Sequence, residues 1–266
     1  MIVTHPLAAC YESHRQSPWR RPGSAHVDWT HSVAERLELA VLFGGALPPR
    51  DLVLKGRSIA TVGQRLAADI VGLTTQATSG VGYYELSPIV SFPSGDWSLS
   101  SLVRFPIDNN NDAVLAGNNS PYGFHVLRVS GTDALGSWSG GYSNFLPTVA
   151  PLTLAGWRRV TAVGDSGGVR IHLDGQVVGA HALPVTAGIR FILGDGDGGG
   201  LARAIGGAVD FFVWSRTLSD TEVRAHARAP YAMLHGGFSP PVRSPTIVPD
   251  LLPPFRRSEP NTLLRM

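Results

Sequence analysis

Two clusters of oxygen-bearing side chains have the residue types closest to those of a metal site. Calcium prefers several hard oxygen ligands, which Asp and Asn side chains supply. Asp108 and Asp112 flank three asparagines, and Asp195 and Asp197 stand in a glycine-rich stretch. Both segments also have the composition of solvated turns or loops. The four aspartates are therefore calcium candidates against that simpler expectation, and the sequence suggests no other cofactor.

Two further segments match sequence motifs of catalytic or nucleotide-binding sites. Gly164-Asp165-Ser166-Gly167-Gly168 matches the surroundings of a serine-protease nucleophile, but the chain has no histidine motif to supply the base. Gly194, Gly196 and Gly199 have the G-x-G-x-x-G spacing of a phosphate cradle, yet the intervening aspartates would repel a pyrophosphate and no long helix follows. We predict a turn at the first motif and a solvated loop at the second.

Acidic and histidine residues do not form a recognisable catalytic set. Glycoside hydrolysis needs two carboxylates that face one sugar bond, which E-x-D-x-E on a strand provides in glucanases. The glutamates never occur at that spacing: Glu12, Glu35, Glu38, Glu85, Glu222 and Glu259. The nine histidines form no H-x-H or H-E-x-x-H motif. We therefore expect a protein that is not an enzyme.

Trp138 and Tyr142, in the segment S-W-S-G-G-Y, are the aromatic residues best suited to sugar binding. Their rings could stack on the apolar face of a sugar. Packing in the core or anchoring of a loop is the alternative for both. The pair is the predicted carbohydrate-binding candidate.

Composition indicates a globular chain of short strands. Hydrophobic residues make up 43% and charged residues 16%, so the chain can bury a core. The 31 glycines and 20 prolines indicate many turns. A net charge of +2 gives no support for nucleic acid as a partner. Cys10 is the sole cysteine, which excludes an intrachain disulfide and a cysteine zinc site.

No segment of the sequence indicates a membrane. The first residues lack the basic and apolar regions of a secretory signal, and no run of about 18 apolar residues occurs. We predict no membrane partner and no export by a signal peptide. The protein is expected to be made in a cytoplasm and to stay there or leave by lysis.

Both ends of the chain read as extended arms around one central domain. Residues 1–27 have no sustained period, and residues 235–266 are rich in proline, which prevents central strands. The predicted domain therefore covers residues 28–234. Apolar and arginine side chains of the arms are predicted to bind a partner: Arg20, Arg21, Leu251, Leu252, Phe255, Arg256 and Arg257.

Alternating side chains predict the strands between the arms. Trp97, Leu99 and Val103 fall on one face of a strand, and residues 124–129 form another short run. Asp174-Gly175 predicts a tight hairpin turn of the primed type. A two-residue loop would place Ile171 opposite Val178, and Val169 opposite Ala180.

Signals for one helix follow the last predicted strand. Residues 208–214 are almost wholly apolar and predict a central strand. Ser219 and Glu222 then form an S-x-x-E capping box, which predicts a helix to about Ala227. Residues 32–42 fit either a helical face or a strand after a loop.

Several of these segments together resemble the laminin-G/pentraxin-like family of concanavalin-A-like domains. Its members share a tryptophan that opens a strand, an L-D-G hairpin, a G-x-V-D strand and an R-x-L-S-x-x-E-V helix. The matching residues are Trp157, Leu173-Asp174-Gly175, Gly207-Ala208-Val209-Asp210 and R-T-L-S-D-T-E-V at 216–223. The resemblance implies an all-β, two-sheet antiparallel jelly-roll sandwich with a short helix after the last strand, here carrying extended N- and C-terminal arms.

The flanks of the domain are similar to laminin-G-like proteins encoded by tailed bacteriophages. The similar segments are residues 22–32, Gly44-Gly45, residues 50–53 and R-A-P-Y-A-M-L at 228–234. This resemblance implies a virion component, most simply a capsid decoration or minor capsid protein. Its arms would bind the major capsid protein or other virion subunits, and a homo-oligomer is expected. The alternatives are an adsorption module on a tail or fibre that binds a host-surface glycan, and a glycoside hydrolase.

Overall fold

The structure is a computed structural model, and it describes twelve segments of the chain. They are residues 25–43, 49–53, 55–69, 72–77, 82–92, 95–105, 115–118, 135–139, 142–146, 156–182, 188–194 and 207–235. The predicted strand at 124–129 lies outside the described residues.

The described residues are mostly strands, with one α-helix and one 3₁₀ turn. The helix, α1, spans Asp220–Arg228, and the 3₁₀ turn spans Ser32–Ala34. The strands are β1 (His26–Val27), β2 (Leu37–Leu42), β3 (Ser58–Val62), β4 (Gln64–Asp69), β5 (Gly72–Ala77), β6 (Tyr83–Val90), β7 (Trp97–Phe105), β8 (Ala116–Gly117), β9 (Leu135–Ser139), β10 (Tyr142–Leu146), β11 (Gly156–Asp165), β12 (Gly168–Leu173), β13 (Gln176–His181), β14 (Ile189–Ile192), β15 (Asp210–Trp214) and β16 (Leu234–His235).

Two antiparallel sheets pack face to face as a sandwich. The six-stranded sheet has the order β13-β12-β11-β7-β15-β2, and the four-stranded sheet has the order β3-β6-β14-β8. The pairs β4–β5 and β9–β10 form separate hairpins, and β1 pairs with β16. This arrangement confirms the predicted all-β jelly-roll sandwich with a short helix on its C-terminal side.

The core between the sheets follows from side-chain alternation. In β7 the core residues Trp97, Leu99 and Val103 are at most 1% exposed, as their spacing predicts. They meet Tyr84 and Leu86 of β6, which are equally buried on the opposite sheet. In β6 and β7 these core residues alternate with side chains that lie on the outer face of the sheet.

The outer face of the six-stranded sheet is also buried around β15 and β2, because α1 and the segments next to β1 and β16 pack on it. Phe212 and Trp214 of β15 join Val223 of α1 and Met233 in a second apolar cluster. The predicted capping box is present: the Ser219 side chain accepts from the Glu222 backbone N–H, and the Glu222 carboxylate accepts from Ser219. The box fixes where α1 begins.

Residues 32–42 form a short turn followed by a strand, which decides between the two predicted alternatives. His31 Nδ1 accepts from the Val33 N–H at 3.2 Å and stabilises the 3₁₀ turn. Arg36 has a φ of 55°, which ends the turn, and β2 then pairs with β15. Leu39 and Leu37 of β2 are buried on opposite faces of the sheet, so the segment cannot show a simple two-residue alternation.

The hairpin of β12 and β13 confirms the predicted turn but corrects the predicted register. Asp174 and Gly175 have φ values of 50° and 83°, as a primed two-residue turn requires. Pairing begins as expected, with His172 opposite Val177. A bulge then shifts the ladder by one residue, so Ile171 pairs with Gly179, and Val169 with His181. The predicted Ile171–Val178 and Val169–Ala180 pairs were therefore wrong.

The G-D-S-G-G motif lies at the tight connection between β11 and β12. Ser166 and Gly167 form the turn, and the Asp165 carboxylate accepts from the Gly167 N–H at 2.7 Å. Gly164 packs against Trp97, so closely that a Cβ atom would lie 2.2 Å from the indole ring. The predicted turn is confirmed, and its glycines and aspartate have a structural use.

Candidate binding face

The two sheets differ in how much of their outer face is open. α1 and the described segments next to β1 and β16 cover the outer face of the six-stranded sheet around β15 and β2. On the four-stranded sheet, by contrast, Ser58, Ala60 and Val62 of β3 and Ser87 of β6 are exposed. This second face is therefore the open sheet surface within the described part of the chain.

Four side chains form a compact group on that open face: Tyr83, Glu85, Arg190 and Phe191. We call them the aromatic–ion-pair cluster. Tyr83 and Glu85 alternate with the core residues Tyr84 and Leu86 along β6 and so point outward. Phe191 of β14 pairs directly with Glu85.

An irregularity in the strand pairing brings Arg190 to the same face. Between the pairs Ile189–Val90 and Phe191–Glu85, β14 has one residue, Arg190, and β6 has four, 86–89. Ile189 and Ile192 both belong to the core, so Arg190 and Phe191 between them both lie on the outer side, which regular alternation forbids. Arg190 and Phe191 can therefore both act beside Glu85.

The contacts within the cluster fix the geometry of its side chains. Arg190 Nε and Nη2 donate to Glu85 Oε1 at 2.9 and 2.7 Å. The Arg190 guanidinium also lies 5.1 Å from the centre of the Phe191 ring, a cation–π distance. Tyr83 meets Phe191 edge to face with ring centres 5.2 Å apart. Phe191 is only 2% exposed and supports the other residues, whose side chains reach solvent.

A buried polar network lies instead under α1 and its flanking segments, centred on Arg159 and Asp210. Arg159 binds Asp210 through two hydrogen bonds, Nη1 to Oδ1 at 3.0 Å and Nη2 to Oδ2 at 2.6 Å. Asp210 also accepts from the Leu102 N–H and from the Tyr231 hydroxyl. Burial disfavours the charged guanidinium, but Asp210 outweighs it and raises the pKa of Arg159. These groups join β7, β11 and β15 to the chain after α1.

Two buried histidines on this covered side are held in the neutral form. Burial lowers the pKa of His226 well below its usual value, helped by Arg159 and His31, and its ring lies edge-on to Phe212 and Trp214. Burial also lowers the pKa of His172, against the opposing effect of its hydrogen bond to Asp220. Both histidines therefore contribute to packing on the helix.

Hydrogen bonds between buried side chains join the β4–β5 hairpin to the sandwich. Thr75 Oγ1 donates to the Gln64 side chain at 3.0 Å and hydrogen-bonds the Tyr84 hydroxyl. Burial raises the pKa of Tyr84 to about 12, although the Thr75 hydrogen bond acts in the opposite direction. Tyr84 is thus a neutral structural phenol inside the core.

The predicted carbohydrate residues Trp138 and Tyr142 lie in the β9–β10 hairpin. This hairpin is a separate two-stranded sheet and does not pair with the open four-stranded sheet. Trp138 pairs with Ser143, and Tyr142 pairs with Ser139, so the two aromatic positions belong to neighbouring pairs of the β9–β10 ladder. Their assignment as a sugar site stays a prediction.

The other predicted site residues lie outside the described residues. These are the calcium candidates Asp108, Asp112, Asp195 and Asp197 and the arm residues Arg20, Arg21, Leu251, Leu252, Phe255, Arg256 and Arg257. Across the described segments, no three His, Cys, Asp or Glu side chains converge as a metal site would require. No helix in those segments has the length and apolar character needed to cross a membrane.

Sequence reasoning did not find the aromatic–ion-pair cluster. The alternation in Y-Y-E-L does indicate that Tyr83 and Glu85 share one face. Their partners Arg190 and Phe191 lie more than a hundred positions later, and Arg190 joins them where the β6–β14 pairing is irregular. Neither the strand pairing nor the bulge can be read from local composition.

The jelly-roll architecture and the helix behind its larger sheet define the class of protein, and sequence comparison defines the family. Residues 78–224 match the laminin-G family described as the concanavalin A-like lectin/glucanases superfamily. The chain belongs to this superfamily. Because the family includes both lectins and glucanases by its description, membership alone neither assigns nor excludes catalysis. No curated protein matches the chain significantly.

Solved structures show the same fold at low sequence identity. One is domain 4 of AbnA, a GH43 extracellular arabinanase from Geobacillus stearothermophilus, in complex with arabinotriose: TM-score 0.55, 16% identity, 72% of this chain and 98% of that one. The binding domain of botulinum neurotoxin DC in complex with rat synaptotagmin II has a TM-score of 0.55 at 12% identity over 74% of this chain and 52% of its own. The binding domain of Paraclostridial Mosquitocidal Protein 1 has a TM-score of 0.53 at 12% identity, covering 76% and 54%.

These similarities concern the fold alone. The chain spans about half the length of the two toxin binding domains and nearly all of the arabinanase domain. By their descriptions, the two toxin domains are binding domains, and the arabinanase domain was solved in complex with arabinotriose.

Proposed function

We propose that the chain is a non-enzymatic structural protein of a tailed-bacteriophage particle, most simply a capsid decoration or minor capsid protein. In this proposal the sandwich sits on the capsid exterior, and the two terminal segments bind the major capsid protein or other virion subunits. The similarity of the flanks to phage-encoded laminin-G-like proteins supports the assignment to a particle.

The β1–β16 ladder is the observation that carries the proposal. His26 pairs with His235, and Val27 pairs with Leu234. The segments 1–24 and 236–266 are therefore joined to neighbouring strands at one place on the domain. Two arms that start side by side can bind adjacent sites on one partner. Once one arm is bound, the other arm is held at a high effective concentration near its own site, which strengthens the attachment.

The charged groups support a role without catalysis. Three glutamates are engaged by cations: Glu38 by Lys55 at 2.6 Å, Glu85 by Arg190 at 2.7 Å and Glu222 by Arg216 at 2.7 Å. A retaining or inverting glycosidase needs two carboxylates facing one bond. In these three contacts each carboxylate faces a cation instead.

The test is quantitative mass spectrometry of particles produced by the phage or prophage that encodes the chain. A decoration protein is expected at a copy number in the hundreds. Deleting residues 1–24 and 236–266, while keeping the β1–β16 ladder, should remove the protein from the particle without unfolding the domain. A few copies per particle would refute a capsid role, and undiminished incorporation of the truncated chain would refute attachment through the arms.

A second candidate function is a carbohydrate-binding adsorption module on a tail or fibre, which binds a glycan of the host surface. The open face of the four-stranded sheet favours it, since flat, solvent-exposed sheet faces can accept a sugar chain. The sequence prediction puts the sugar site at Trp138 and Tyr142; if the glycan binds there, Trp138→Ala abolishes binding on a glycan array. A wild-type protein that binds no glycan would refute this second function.

A further inference from the structure

We propose that the aromatic–ion-pair cluster is a binding site for a neutral sugar ring with two neighbouring hydroxyl groups. The inference rests on the carbohydrate-binding candidate function and assigns it to Tyr83, Glu85 and Arg190 on the four-stranded sheet, rather than to the β9–β10 hairpin. Phe191 acts as the supporting residue beneath them.

The hydrogen-bonding groups of the ion pair fit adjacent hydroxyls. Both Arg190 contacts end on Glu85 Oε1. Glu85 Oε2 and Arg190 Nη1 make no hydrogen bond to any described residue. A carboxylate oxygen only accepts and a guanidinium only donates. One sugar hydroxyl can donate to Glu85 Oε2 while its neighbour accepts from Arg190. The Glu85–Arg190 ion pair can therefore bind two adjacent hydroxyls of one sugar.

The aromatic side chain fits the apolar face of the same ring. Tyr83 is partly exposed, and Phe191 holds its ring edge-on at 5.2 Å. A fixed aromatic ring loses little conformational entropy when a ligand stacks on it. Val62 pairs with Tyr83 and is 38% exposed, which extends the apolar surface towards the edge of the sheet.

The surroundings leave space for a ligand and favour an uncharged one. Ala60 pairs with Glu85 and Ser58 pairs with Ser87, and the exposed side chains of this part of β3 are small. The Glu85 carboxylate neutralises the Arg190 guanidinium, so the site carries no net charge of its own. A neutral hexose or pentose therefore fits better than a sialylated sugar or a uronic acid.

The experiment measures binding of the full-length chain to neutral oligosaccharides. The probes are immobilised arabinotriose, maltotriose, cellotriose, mannotriose and lactose, followed by calorimetric titration with the tightest binder. Tyr83→Ala should weaken binding by at least about tenfold, because the stacking surface is lost. Tyr83→Phe keeps that surface and should stay within about threefold of wild type.

A blocking variant separates binding from folding. Ala60 is exposed, so Ala60→Trp fills the open space beside Glu85 without entering the core, and it should also weaken binding at least about tenfold. Val177→Ala is the matched control, because Val177 is 49% exposed on the other sheet. Thermal midpoints of all variants confirm that each is folded.

The outcomes separate this inference from the function on which it rests. Loss of binding in Tyr83→Ala and Ala60→Trp, with binding kept in Val177→Ala, supports the site. Binding that survives both variants but disappears in Trp138→Ala overturns the site and keeps the carbohydrate function. A wild-type chain that binds none of the probes overturns both and leaves the virion role untouched.

Discussion

Replacing Asp210 with alanine should destabilise the domain more than any exposed substitution. Asp210 is fully buried and accepts two hydrogen bonds from Arg159, one from the Leu102 N–H and one from Tyr231. The variant would leave the Arg159 guanidinium, whose side chain is 4% exposed, without its counter-ion. An unpaired buried charge is among the most unfavourable changes that a core can undergo.

The expected magnitude follows from that burial. Removing one partner of a buried ion pair costs about 3–5 kcal/mol in the free energy of unfolding. For a domain of this size, that loss lowers the thermal midpoint by roughly 6–20 °C. Tyr231→Phe removes one hydrogen bond to the same carboxylate and should cost only about 1.5 kcal/mol, because Tyr231 is partly exposed.

Urea denaturation followed by tryptophan fluorescence measures these differences, with Tyr231→Phe as the milder comparison. The double variant Arg159→Met, Asp210→Leu removes both charges and should be more stable than Asp210→Ala, since no charge is left buried alone. An unfolding free energy of Asp210→Ala within about 1 kcal/mol of wild type would refute the reasoning, because a buried unpaired guanidinium should destabilise the folded state by more than that.

Three further predictions concern stability. Gly164→Ala drives a Cβ atom against the Trp97 indole and should lower the unfolding free energy by about 1–3 kcal/mol in urea denaturation. Burial raises the pKa of Glu222, but hydrogen bonds from Arg216 and Ser219 outweigh it and lower this pKa to about 2. The charged carboxylate therefore stabilises the folded state above pH 4.5, and this stabilisation is lost as the pH falls towards 2. The advantage of wild type over Glu222→Gln in unfolding free energy should shrink on acidification. His226 is neutral in the folded state, whereas in the unfolded chain its imidazole takes up a proton below pH 6.5. Acidification therefore lowers the unfolding free energy of wild type through this group, by up to about 1.4 kcal/mol per pH unit. His226→Phe lacks the group and should lose less stability than wild type over the same pH range.

Each of these predictions has its own control. Ser166→Ala lies in the exposed turn of the same hairpin and should change the stability by less than about 0.5 kcal/mol, so an equal cost at Gly164 would argue against the Trp97 contact. A difference between wild type and Glu222→Gln that does not change with pH would show that the carboxylate is not preferentially charged in the folded state. Parallel pH profiles for wild type and His226→Phe would show that the buried imidazole does not titrate on unfolding.

The features that sequence predicted depend on residues close together in the chain. Ser219 and Glu222 complete the capping box within one helical turn, and the positive φ values of Asp174 and Gly175 follow from their own turn. The alternation of β7 could be read because its core-facing side carries large apolar residues. These signals need no knowledge of which strands become neighbours.

The features that sequence missed depend on distant pairings or on bulges. Arg159 and Asp210 are separated by 51 positions and meet because β7 lies between their strands. Arg190 lies beside Glu85 where the β6–β14 ladder is irregular, and the β12–β13 bulge shifted a register that regular pairing predicted. A local irregularity leaves almost no trace in composition, yet it decides which face a side chain occupies.

The pairing of β1 with β16 also has a consequence for protein engineering. Paired residues on antiparallel strands have Cα atoms about 4.5–5.5 Å apart, so His26 and His235 lie within the span of a short peptide linker. The domain can therefore be spliced as one cassette into a surface loop of a carrier protein. Joining these residues and opening the exposed turn at Ser166 and Gly167 would likewise give a circular permutant with the sandwich intact.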